Sequence, residues 1–205
     1  MALTTYTELT TAIKNWLHRA DQDQNIPDFI SLAEASFNRE LRLEAMEDRA
    51  VATINTSDPT YGEYIALPDG FLEMRNLQLN TTPVSLLTYM SPEVMDVRYG
   101  GQVSRPKFYA IVGDQIQFSP RPDAGYEVEM AFYKKFDPLE GSNNWLFQNY
   151  PDVYLYGSLL AAAFMLKDDK AVARWEPPYL KVMGDINKAD DRLKWSGSSL
   201  TMRAV

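Results

Sequence analysis

Cysteine is absent from the 205 residues, and histidine occurs once, as His18. Disulfide scaffolds, thiolate metal centres and thiol nucleophiles are therefore excluded, as is any site built on two histidines. No G-x-S-x-G, phosphate loop, G-x-G-x-x-G or H-E-x-x-H is present. The residues thus offer no catalytic, cofactor-binding or metal site. Long apolar runs are missing too. The longest strongly apolar stretch without charge, Val153 to Leu166, has fourteen residues, fewer than the about 20 that span a bilayer. The start, Met1-Ala2-Leu3-Thr4-Thr5-Tyr6, lacks a basic region followed by an apolar core. A soluble chain with no membrane partner is expected. Positive charge is in deficit: 20 Lys and Arg against 28 Asp and Glu give a net −8. A broad face that neutralises phosphates is not expected from such a balance.

What remains is the composition of a globular protein, 45% apolar and 23% charged, with 12 Tyr, 9 Phe and 4 Trp. Many aromatics crowd residues 126–156, where core packing and interface use are both open. A first helix is expected from about Tyr6 to Ala20. Thr5 and Glu8 form a capping box, and Leu9, Ile13, Trp16 and Leu17 a stripe. His18 falls near its end, where a cation complements the helix dipole. Asp21-x-Asp23-x-Asn25 begins like a calcium loop but has Ile26 and Leu32 where Gly and a bidentate Glu are required. A solvated helix–helix loop is the better reading.

A second helix is expected from near Pro27 to about Ala50, with Ile30, Ala33, Phe37 and Leu41 on one face. Helical spacing puts Glu34, Glu44 and Asp48 beside that face and Arg39, Arg42 and Arg49 on the opposite side. Opposite charges on opposite sides suit head-to-tail contacts between copies; a solvated helix with its own ion pairs is the alternative. From Val51 to Phe136, proline and glycine punctuate short runs of strand composition. The expected strands are 52–55, 64–67, 74–79, 84–87, 108–112, 115–119 and 126–133. Gly113-Asp114 reads as a hairpin turn, Ser91 as the cap of a short helix to about Tyr99, and Gly100-Gly101 as a flexible loop. Pro151 to about Leu166 reads as a helix apolar on nearly every side, which needs burial all round and invites help from neighbouring subunits. A last helix from about Asp169 to Trp195 is expected to break or kink at Pro177-Pro178.

The fold class is therefore α+β, a helical bundle formed by N- and C-terminal helices with a β-rich insertion between them. Residues 1–50 form a helical hairpin, 51–144 the insertion, 145–195 the C-terminal helices and 196–205 an extended tail. The tail joins linker composition, Ser196-Gly197-Ser198-Ser199, to alternating apolar residues Leu200, Met202 and Val205. Arg203 is placed to pair with an acidic rim, and Trp195 to anchor the exit from the helix.

Several segments resemble a known family. They are Ile26-Pro27-Asp28-Phe29-Ile30-x-Leu32-Ala33-Glu34-Ala35-x-x-Asn38-Arg39, Leu67-Pro68-x-x-Phe71-Leu72, and Pro120-Arg121-Pro122. Asn144-Trp145-Leu146 follows, then the run from Tyr150-Pro151-Asp152 to Leu160. In this order they resemble the head-to-tail adaptor (connector, head-completion) proteins of tailed bacteriophages. The resemblance implies a structural virion protein, made in the host bacterial cytoplasm. It implies a homo-oligomeric ring, usually of twelve copies, under the portal protein at the head–tail interface. A downstream tail or nozzle protein would bind the ring, and genomic DNA would pass through it. On that reading the tail 196–205 docks on the portal and residues 21–50, net −5, contribute acidic charge to the channel. A hydrolase using two carboxylates and a monomeric β-rich binding module are the competing readings.

Overall fold

The computed structural model describes residues 3–56, 62–140 and 143–195. The chain forms two compact units, residues 1–45 with 136–205, and residues 46–135. The fold is α+β, with helices at both ends of the chain and strands in its middle.

The helical unit starts at α1, Tyr6–Leu17. The Thr5 hydroxyl accepts the Glu8 amide at 3.2 Å, and the Glu8 carboxylate accepts the Thr5 amide at 3.1 Å, so the capping box forms. The helix stops short of Ala20 because His18 turns left-handed, φ 53°, as its amide bonds the Lys14 carbonyl. A six-residue 3₁₀ turn, Ala20–Asn25, then leads into α2, Ile26–Glu40. The loop acids are held by neighbouring bases. Arg19 grips Asp21 through two hydrogen bonds of 2.9 Å, and Lys14 pairs with Asp23.

The expected helix to Ala50 is corrected here. α2 ends at Glu40, where Leu41 becomes extended, φ −94° and ψ 140°. The Arg42 guanidinium donates to the carbonyls of Asn38 and Leu41, occupying acceptors that a further turn would have used. Leu41 and Leu43 are both fully buried at a spacing of two, which suits extended chain and not helix. Glu44 lies in a single 3₁₀ turn, and Asp48 and Arg49 lie in β1, Glu47–Thr53.

After the strands the chain returns through residues 136–144 to α4, Trp145–Asn149, α5, Pro151–Met165, and α6, Asp169–Trp195. Asn144 caps α4 by accepting the Phe147 amide at 2.9 Å. Lys167, φ 53°, turns the chain, and Asp168 accepts the amides of Lys170 and Ala171 to start α6. α5 is central and contacts α1, α2, α4 and α6. The burial demanded by its apolar surface is thus met by its own chain over most of its length. Phe164 and Met165 at its end are the exceptions, 59% and 51% exposed. The expected break at Pro177-Pro178 is also corrected, because α6 stays helical through both prolines. The two missing amides would have bonded the carbonyls of Ala173 and Arg174, residues open to water, so solvent can satisfy them.

In the β-rich unit, one sheet has the order β1, β8 (Glu127–Lys134), β3 (Phe71–Leu79), β4 (Ser85–Leu86), all antiparallel. The other runs β2 (Tyr64–Ala66), β7 (Gln115–Ser119), β6 (Phe108–Val112), β5 (Thr88–Tyr89). β5 pairs with β6 in parallel; β2, β7 and β6 pair antiparallel. The β6–β7 hairpin turns at Gly113, φ 64°, with Val112 opposite Gln115, a conformation glycine adopts without steric cost. α3, Pro92–Tyr99, packs near β6 and β7. A core of Ile54, Leu77, Leu79, Phe118, Val128 and Phe132, among others, fills the unit.

Candidate interaction surface

On the helical unit, α2, α5 and α6 frame an apolar groove of about 470 Å³. Leu32 and Ser36 come from α2, Gly157, Leu160 and Phe164 from α5, and Tyr179 from α6. Leu32 is 55% exposed, and Leu180 beside Tyr179 is 56% exposed. The groove follows from the sequences of its walls. α2 turns Phe29, Ile30, Ala33 and Phe37 inward, leaving Leu32 and Ser36 on the flank. α5 has apolar residues on every side, so whichever side its neighbours leave uncovered is still apolar. Gly157 lets α2 approach closely: a β-carbon there would sit 3.1 Å from Phe37 Cζ and 3.2 Å from Ala33 Cβ.

A polar network lies in the same helical unit. The Glu34 carboxylate accepts the Leu139 amide at 2.7 Å, and the Asn38 carbonyl oxygen Oδ1 accepts the Phe136 amide at 3.0 Å. These bonds tie residues 136–139 to α2. The Asn144 amide donates to the Asp137 carbonyl at 2.8 Å and to the Tyr154 hydroxyl at 2.6 Å. Tyr154 in turn lies 3.5 Å from Glu34 Oε1. Burial pushes the Glu34 carboxyl above the usual carboxylate range, against the lowering effect of the Leu139 and Tyr154 hydrogen bonds.

That direction has a consequence for stability. The folded chain holds the Glu34 proton more tightly than the unfolded chain does. The contribution of this group is complete below the unfolded value of about 4.3 and is lost as pH rises through the higher folded value. Glu34→Gln keeps an acceptor for Leu139 and has nothing to ionise. Its stability relative to the wild type therefore climbs with pH across that window and then levels off. Glu34→Ala leaves the Leu139 amide without its acceptor and loses about 1–3 kcal/mol. Denaturant melts of the three proteins at acidic and neutral pH check both expectations.

The six charged residues expected to share one helix are dispersed. Glu34 and Arg39 are on α2, Arg39 exposed at the rim of the groove. Arg42 caps that helix. The Glu44 amide donates to Asp190 at 2.7 Å, and Asp190 pairs with Lys194 at 2.5 Å. Arg49 pairs with Glu129, and Asp48 lies 3.6 Å from Lys134, both diagonal contacts between β1 and β8. The arrangement of acids and arginines on opposite sides of one helix does not form. The Trp195 side chain and Leu200, Met202, Arg203 and Val205 lie outside the described residues. Among the described residues no cluster of His, Cys, Asp or Glu is placed to hold a metal ion, and no helix is long and apolar enough to cross a membrane.

The sequence pattern of the family described as SU10 adaptor protein matches residues 4–203. The chain belongs to the SU10 adaptor family. The match bears out the resemblance to phage head-to-tail adaptors, and it makes the chain a structural component of that kind. No curated protein matches the sequence. The segments that carried the resemblance hold the adaptor's polar network: Glu34 and Asn38 come from the first, Asn144 and Tyr154 from the last. Their asparagines and glutamate are joints between α2 and the segment entering α4, a role that spacing along the sequence does not reveal.

Proposed function

We propose that this adaptor assembles as a ring of twelve copies under the portal, joins the DNA-filled head to the tail, and lines the DNA exit channel. The observation that carries the reading is the exposed apolar groove of α2, α5 and α6 in a chain of this family. Isolated surface leucines are ordinary, but a concave apolar strip that includes Leu32, Leu160, Phe164 and Met165 is the character of a protein interface. The groove accepts the neighbouring subunit, and one face meeting a different face closes into a cycle. The tail, Leu200 to Val205 with Arg203, docks on the portal, and a nozzle or other tail protein binds the opposite end. Net negative charge keeps translocating DNA from adhering to the channel wall.

The test is co-expression with the portal protein, followed by electron microscopy and native mass measurement. A ring is expected on the portal. Leu32→Glu with Phe164→Glu buries two charges where apolar side chains met. Each lost apolar contact is worth about 1.5–3 kcal/mol, so affinity falls by roughly tenfold or more per side chain. Circular dichroism should be unchanged, because both positions are exposed in the single chain. Deleting residues 196–205 should release the adaptor from the portal without unfolding it. Wild-type assembly by the groove variant overturns the assignment of the groove, and undiminished portal binding by the deletion overturns that of the tail.

A further inference from the structure

The β-rich unit contains a second cavity, polar and about 230 Å³ in volume, between α3, the turn after it, and the face of β7 that is turned away from the core. Along β7, Ile116 and Phe118 enter the core. Strand alternation sends Gln117 and Ser119 to the other face, where they line the cavity. Gln117 is 9% exposed and Ser119 7%. Neither side chain makes a hydrogen bond among the described residues. Their polar atoms are not sealed off: they open onto the cavity and are available to a ligand that supplies matching hydrogen bonds.

The charges around the cavity say which ligand. Glu63 and Asp96 both line it, and neither forms an ion pair among the described residues. Both acids are near Tyr64, whose hydroxyl is pushed up first by burial and then by these two carboxylates. Arg121 also lines the cavity but already has an interaction within the chain. An anion would meet two carboxylates here. A group that only donates hydrogen bonds would find four acceptors, the two carboxylates, the Gln117 carbonyl oxygen and the Ser119 hydroxyl. The guanidinium of arginine has five N–H donors and no acceptor. Tyr99, stacked on Phe108 at 5.2 Å, adds an aromatic face of the kind guanidinium groups favour.

The walls are built for close approach. A β-carbon on Gly100 would lie 2.4 Å from the Asp96 carbonyl oxygen, and Gly101 has φ 78° with open space beside it. This turn cannot carry side chains that would fill the cavity without strain. The volume is below the roughly 300–1,000 Å³ of pockets for drug-sized ligands, and it suits a single side chain.

We propose that this cavity receives one arginine side chain presented by a protein partner, with Asp96 and Glu63 at its charged end and Gln117 and Ser119 on its floor. The site is distinct from the groove and stands whether or not the groove closes a ring. The test is a nuclear magnetic resonance titration of the full chain with capped arginine, N-acetyl-arginine amide. Saturable shifts are expected at the Gln117 side-chain amide and at the amides of Tyr99 to Gln102. Asp96→Asn, on the exposed side of α3, and Glu63→Gln should each weaken binding severalfold while leaving the rest of the spectrum in place. Capped glutamate should cause no shift. Absence of shifts with capped arginine, equal shifts with capped glutamate, or insensitivity to both variants overturns the proposal. Equal binding of capped lysine overturns the guanidinium assignment. Tighter binding of free arginine than of the capped form overturns the protein source.

Discussion

Tyr154→Ala should cost the helical unit about 3–5 kcal/mol, the range for deleting a buried aromatic ring. Tyr154 is fully buried in α5. Its ring meets Phe37 edge-on at 5.0 Å and Phe147 at 5.3 Å, so truncation opens a cavity among α2, α4 and α5. The same change removes the hydroxyl that accepts the Asn144 amide and approaches Glu34. Asn144 keeps only Asp137 on that side, and Glu34 is left with the Leu139 amide as its one strong donor. Set against total stabilities of about 5–15 kcal/mol, the loss is a large fraction. For a chain of this length the melting temperature should fall by about 6–20 °C. Tyr154→Phe separates the two contributions. It keeps the ring and loses only the hydroxyl, which is worth about 1 kcal/mol.

The phenol adds a pH signature. Burial, chiefly, raises the Tyr154 hydroxyl above its usual value, so the folded chain retains that proton longer than the unfolded chain. Stability is full below about pH 10 and declines as pH rises toward the folded value. Tyr154→Phe should flatten that alkaline decline. Thermal melts followed by circular dichroism across neutral and alkaline pH test both variants; a Tyr154→Ala protein that melts like the wild type would remove the network from its central place.

Features governed by neighbours in sequence were legible. The Thr5–Glu8 capping box, the turn at Gly113-Asp114 and the bounds of β6 and β7 are local, and each formed where composition placed it. Features governed by distant partners were not. The helical period continues through Glu44 and Asp48, yet β1 forms there because β8, some eighty positions on, offers Glu129 and Lys134 to the charges and the core of its unit takes up Ala50 and Ala52 from one face of the strand. Pro177-Pro178 carried a strong local signal for a break, which an exposed stretch of α6 absorbs through solvated carbonyls. The groove was half visible. An over-apolar α5 announced surplus apolar surface, but which of its sides stays uncovered depends on where α2 and α6 pack. The motif residues Glu34 and Asn144 were visible as part of a familiar pattern, while their joint role needed Leu139, 105 residues from Glu34, to be brought alongside. The cavity of the β-rich unit left a fainter trace. Gln117 and Ser119 interrupt apolar residues at strand spacing, and Gly100-Gly101, read as a loop, forms one of the walls.

Gly157→Leu should destabilise the packing of α2 on α5 by overfilling their contact. Two opposing effects set the outcome of substitution there. Glycine inside a helix is less favourable than alanine by about 0.8–1.0 kcal/mol, so any side chain gains that much intrinsically. Against it stands the approach of α2: a β-carbon would lie 3.1 and 3.2 Å from the Phe37 ring and 3.2 Å from Ala33 Cβ. These contacts are only a few tenths of an ångström too short. Gly157→Ala should therefore come out close to neutral, the helical gain offset by a slight displacement of Phe37. Leucine adds three further carbons in the same direction. It must push α2 away from α5, and Phe37 is itself packed on Tyr154 and Tyr179, so the displacement is passed on to both. Overpacking of this kind costs about 1–3 kcal/mol, and more where the backbone must move. Gly157 also lines the groove, so Leu would reshape the surface offered to a neighbouring copy. Paired melts and assembly assays distinguish the effects: Ala should leave the melting temperature within a few degrees, whereas Leu should lower it and weaken assembly together. Wild-type stability in Gly157→Leu would mean that α2 and α5 are not held at the separation their contacts define.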